Sequence, residues 1–177
     1  DTPYSPSFAQ RVALTDVDGS GTADILYADA ESYRYLDLAG GIKPGLLAVV
    51  RNGLGKSTHL EYRSSAHEML EAAREGTPWT TVMPTITQVV KRVEERDNLR
   101  IAGLGPQSVV TEYSYRDPLF EGRQREFRGF RETIAKVVGD ENTPTQLTRT
   151  LTLLGECKND GSVPGTDICA VSERWRD

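Results

Sequence analysis

The chain has 177 residues, of which 37% are hydrophobic and 27% charged, with a formal net charge of −5. That length suits one large domain or two small ones with a core, and the acidic balance argues against a general nucleic-acid surface. No apolar run approaches the roughly 18–20 residues that cross a membrane, and the ends at Asp1 and Asp177 read as cuts from a longer chain.

The first recognisable unit is strand, loop, strand. RVAL (Arg11–Leu14) and ILYA (Ile25–Ala28) flank the loop DVDGSGTAD, Asp16 to Asp24. Counted from Asp16, oxygen-bearing side chains fall at the first, third, fifth and ninth positions: Asp16, Asp18, Ser20 and Asp24. Gly21 takes the sixth, where a tight turn needs freedom from Cβ strain, and Thr22 at the seventh offers its backbone carbonyl. This is the ligand rhythm of an oxygen cage for Ca²⁺. Three carboxylates this close repel one another unless a cation or solvent screens them. An EF-hand needs two helices and a Glu at the twelfth position; here that position is Tyr27 and the flanks are strands. The loop therefore reads as a Ca²⁺ loop joining two strands, with a metal-free Asp/Gly-rich turn as the alternative. Composition shifts at Ala39-Gly40-Gly41, which divides the chain into 1–38 and 39–177.

LLAVVRNGLGKS, Leu46 to Ser57, raises the question of phosphate binding, because a P-loop also ends in glycine, lysine and serine. The pattern fails: five positions before Gly55 stands Val50, not glycine, and THLEYRSS leans to strand where a helix should open. Asn52-Gly53 is a two-residue hairpin signal. The segment reads as strand Leu46–Arg51, a turn, and strand Thr58–Arg63.

One helix is expected, Ala66–Glu75, with Met69, Leu70 and Ala73 on its apolar side and Gly76-Thr77-Pro78 as its stop. Beyond it the chain reads as long strands. Thr85–Glu94 is one, and Val109, Thr111, Tyr113 and Tyr115 share a face of the next. Glu126–Phe130 and Glu132–Val138 follow as two strands. Leu147, Leu151 and Leu153 alternate with Thr148, Thr150 and Thr152 in the last. Asn98, Gly103, Gly105-Pro106, Asp117-Pro118 and Gly122 punctuate the series. Gly129, between Phe127 and Phe130, is placed to form a bulge that curves the sheet. Arg125, Arg128, Arg131, Glu126 and Glu132 are assigned to the wet face. The fold class is mainly β, an antiparallel, long-stranded curved sheet.

Cys157 and Cys169 flank KNDGSVPGTDI in the tail and are a disulfide candidate; the alternative is two free thiols. Closing a loop of that size contributes about 2–3 kcal/mol. The cysteines and the distant His59 and His67 give no zinc spacing.

Two resemblances attach to these motifs. DVDGSGTAD with its strand flanks, over residues 8–38, resembles the FG-GAP/VCBS repeat, which implies a β-propeller blade remnant. The ordered series KPGLLAVVRNGLGKSTHLEYRSS, Trp79, Pro84, VVKRVEERD and VVTEYSYRDPLFEGRQREFRGF, over residues 43–138, resembles the B component of bacterial Tc toxin complexes. REFRGF, Arg125 to Phe130, is its most specific piece. The resemblance implies a secreted, non-catalytic segment of a Rhs/YD-type β shell. Its partners would be the Rhs-type C component, an enclosed effector and a pore-forming A component. No catalytic residue carries over, because the self-cleaving site of that family lies in the C component. Between Tyr35-Leu36-Asp37 and Lys43-Pro44 only Leu38–Ile42 intervene, where a full propeller continues through further blades. The Cys-bearing tail is outside the pattern. Two other classes compete: a calcium-stabilised surface adhesin that binds protein or glycan, and an enzyme. The enzyme reading is opposed by only two histidines and by the lack of a Ser/His/Asp order.

Overall fold

β-branched and aromatic residues at alternate positions favour extended chain, and glycine and Asx residues between them favour turns. The computed structural model describes residues 11–29, 31–98, 107–122 and 124–152, and these form two antiparallel sheets. β1 (Arg11–Thr15), β2 (Asp24–Ala28) and β3 (Tyr33–Leu36) make a three-stranded meander. β4 (Val49–Arg51), β5 (Lys56–Ser64), β6 (Gln88–Asp97), β7 (Ser108–Glu121), β8 (Glu126–Val137) and β9 (Gln146–Leu151) make a six-stranded sheet in sequence order. A helix, α1 (Ser65–Arg74), leaves the end of β5. β7 has 14 residues and β8 has 12, against about 5–6 for an ordinary strand, so this sheet is a long wall.

Two expected interruptions are absorbed into strands. Asp117-Pro118 reads as a break in the sequence, yet β7 runs through it. Asp117 takes a left-handed φ of 51°, held where its Oδ1 accepts from Thr80 N at 2.6 Å and Thr80 Oγ1 at 2.9 Å. Likewise Glu126–Phe130 and Glu132–Val138 are one strand, β8. Gly129 forms the expected bulge, with φ 121°. Leu119 faces Gly129 and Phe120 faces Phe127, which leaves Arg128 as the extra residue. A second bulge leaves Lys91 extra, because Glu61 faces Arg92 while Tyr62 faces Val90. Bulges increase local twist and bend the strand.

The β4–β5 turn is longer than its Asn-Gly signal suggests and spans Asn52 to Gly55. Asn52 Oδ1 accepts from Leu54 N at 2.8 Å and Lys56 N at 3.0 Å, so its side chain organises the wider loop. Asn98, at the end of β6, clamps that loop by donating to the Gly55 carbonyl.

The core is thin. Among the described residues the buried apolar side chains are Tyr27, Val89, Pro118 and Phe130. Phe130 gathers Tyr115 at 5.0 Å, Phe127 at 5.3 Å and Trp79 at 5.7 Å between ring centroids. Trp79 belongs to the strap that follows α1. Thr80 and Thr81 fasten that strap to Asp117 and to the Pro118 carbonyl.

The helix buries a different face from the one expected. Ser64 caps it, accepting from His67 N, and the buried helical residues are Ser65 and Glu68; Leu70 is 48% exposed. Arg63 explains the inversion, because it pairs with both Glu68 and Glu71 and draws the polar side of α1 inward. Burial pushes the Glu68 carboxyl above its ordinary value of 4.5, against the pull of Arg63. A raised acid stabilises the fold below its ordinary pKa, and that contribution is lost as pH rises through the raised one. Glu68→Gln should therefore raise the melting temperature at pH 7, with the gain closing as pH falls below 4.5. Thermal melts of both proteins across pH 4–8 check this; a gain that grows on acidification contradicts it.

Glu132 also departs from its expected place. It is 9% exposed, and Arg149 of β9 grips both of its oxygens, at 2.7 and 3.0 Å. Other charges pair across neighbouring strands, including Arg92 with Glu61 and Lys136 with Glu112. Among the described residues no helix is long and apolar enough to cross a membrane.

Candidate metal centre

Thr15 and Asp24 are the last facing pair of the β1–β2 ladder, so the chain must reverse between them. Gly19 and Gly21 take φ of 76° and 82°, a region that costs other L-residues about 1–2 kcal/mol. Carboxylates then gather the loop's N–H groups. Asp16 Oδ1 accepts from Gly19 N at 2.8 Å and Ser20 N at 3.0 Å, and its Oδ2 accepts from Gly21 N at 2.7 Å. Asp18 Oδ1 accepts from Ser20 N at 2.9 Å, and Asp24 Oδ2 accepts from Val17 N at 2.9 Å. Hydrogen bonds from Ser20 hold the Asp18 carboxyl below its ordinary value of 3.8.

The result is a compact acidic site. Asp16, Asp18 and Asp24 each offer an oxygen, and these atoms lie within 4.8 Å of one another. Asp24 is fully buried, and its Oδ1 has no hydrogen-bond donor among the described residues. A buried polar atom without a partner carries the full cost of its desolvation, and a buried charge costs more. A hard cation with oxygen ligands answers that cost, so the residues present fit Ca²⁺. Of the other two expected ligands, Ser20 Oγ lies 2.7 Å from Thr22 Oγ1. The Ser20 carbonyl accepts from Gln88 Nε2 at 2.6 Å.

One carboxylate near the loop escaped the sequence reading. A Cβ placed on Gly41 would lie 3.7 Å from Asp18 Oδ2 and 3.9 Å from Asp37 Oδ2. Asp37 follows β3 and caps the turn after it, accepting from Ala39 N and Gly40 N. The spacing rule of a single loop could not reach it. Cys157 and Cys169 lie outside the described residues.

An open wall of long antiparallel strands, with an acidic loop at the turn of a smaller sheet, defines a structural β region. The chain belongs to the insecticide toxin TcdB middle/N-terminal region family, whose family model matches residues 1–154. Among solved structures it is similar to the crystal structure of TcdB2-TccC3, at 26% identity and a TM-score of 0.66, over 82% of this chain and 7% of that one. The TcdB2-TccC3-Cdc42 structure gives 25% identity and a TM-score of 0.67, over 84% of this chain and 7% of that one. TcdB2-TccC3-TEV gives 24% and 0.69, over 87% and 8%. The chain thus spans less than a tenth of the length of the solved chains it matches. No curated protein matches it.

Proposed function

We propose that this chain is a non-catalytic segment of the β shell of a secreted bacterial Tc/Rhs-type toxin, and that the shell encloses a toxic effector. Its partner is then an Rhs-type C component of the TccC kind, with docking to a pore-forming A component through the propeller side. The observation that supports this best is the likeness of the fold to TcdB2-TccC3, which covers 82% of the chain. Long strands with one half-buried face suit enclosure better than chemistry, because a wall needs area and curvature, not convergent reactive groups. Co-expression of the polypeptide that carries this chain with an Rhs-type component tests the reading. An effector segment inside the assembly should resist protease and become sensitive only when the shell is opened by heat. Cleavage at the rate of the free effector rejects enclosure.

The three-stranded sheet is, on this reading, a propeller blade remnant, and its Asp16–Asp24 loop holds one Ca²⁺. Buried Asp24 Oδ1 supports the assignment most directly. Calorimetric titration of Ca²⁺ should give saturable heat with the wild type and none with Asp18→Ala. A flat wild-type titration rejects the site.

A further inference from the structure

We propose that the Asp16–Asp24 loop is a cation-set latch that fastens the three-stranded sheet to the six-stranded wall. This rests on the reading of the loop as a Ca²⁺ site and adds a role for the bound ion. Ser20 is the pivot. It is 2% exposed, and its N–H donates to Asp16 and Asp18 on the ligand side. Its carbonyl accepts from Gln88, the first residue of β6, on the wall side. One residue therefore touches both the carboxylate cluster and the other sheet.

The fit around it is close. A Cβ on Gly21 would lie 2.9 Å from Gln88 Nε2 and 3.3 Å from Ile86 Cγ2. A Cβ on Gly19 would lie 3.2 Å from Ala66 Cβ in the first turn of α1. The glycines that let the loop turn also leave room for the wall to approach. A cation that draws Asp16, Asp18 and Asp24 together fixes the peptide planes of residues 19–21, and so aims the Ser20 carbonyl at Gln88. Without it, mutual repulsion of the carboxylates loosens the same planes.

Coupling of this kind is reciprocal. If the ion strengthens the Ser20–Gln88 hydrogen bond, loss of that bond must weaken the ion. Gln88→Ala is expected to weaken Ca²⁺ binding about two- to tenfold, the span that corresponds to one net hydrogen bond. The test combines calorimetric Ca²⁺ titration of the full chain with hydrogen exchange in Ca²⁺ and in chelator. In the wild type, Ca²⁺ should slow exchange in residues 16–24 and also in 64–68 and 86–90. In Gln88→Ala the slowing should be confined to 16–24. Gln88→Asn, one methylene short, replaces the alanine variant if that one fails to fold. Wild-type binding with no change at 64–68 and 86–90, or equal affinity in both proteins, overturns the latch and leaves the ion site standing. An absence of wild-type binding overturns both.

Discussion

Phe130→Ala is expected to destabilise the chain by about 3–5 kcal/mol, the usual loss when a large buried aromatic is truncated. Phe130 is 9% exposed and sits at the centre of three ring contacts, with Tyr115, Phe127 and Trp79. Its removal leaves a cavity that Tyr115 and Phe127 cannot fill from fixed strand positions. Trp79 comes from the strap after α1, so the strap loses its hold on the wall as well. For a chain of this size a loss of that order lowers the melting temperature by about 10 °C. Phe130→Leu should recover part of it, because the volume deficit is smaller. Denaturant melts of the three proteins measure this directly. A cost for the alanine variant under about 0.5 kcal/mol, the range of ordinary surface changes, means that the aromatic cluster is not a core.

Ca²⁺ at about one hundred times its dissociation constant should stabilise the wild type by about 2.7 kcal/mol. That corresponds to a rise of about 5–10 °C in melting temperature. Asp24→Asn should lose most of the rise. The substitution keeps the acceptor that Val17 N uses but removes a buried carboxylate oxygen that has no donor among the described residues. In chelator the sign reverses: the variant should melt at or above the wild type, because an uncompensated buried charge is gone. Equal Ca²⁺ responses in the two proteins exclude Asp24 as a ligand, and a wild type that ignores Ca²⁺ excludes the site.

Local alternation made most of the wall legible. Leu147 and Leu151 against Thr148 and Thr150 announce β9, and Asn98 marks the end of β6. The acidic loop was legible for the same reason, since Asp16, Asp18 and Asp24 act through spacing within nine residues. What failed depended on partners far along the chain. Asp117-Pro118 reads as a break until Thr80, 37 residues away, ties Asp117 down. Glu132 reads as solvent-facing until Arg149 closes over it. The apolar side of α1 looked inward by hydropathy, but Arg63 on the preceding strand recruits Glu68 instead. Asp37 lies near Asp18 only because β3 folds back beside β2. Each miss is a tertiary contact overriding a local preference.

The wall is a pure meander: every strand from β5 onward pairs with the one made just before it. No strand has to wait for a distant segment to arrive. Chain leaving the ribosome can lay down each hairpin on an edge already present, and loop-closure costs stay small throughout. Growth by addition at one margin lets such a sheet reach great length without a knot or a threading step.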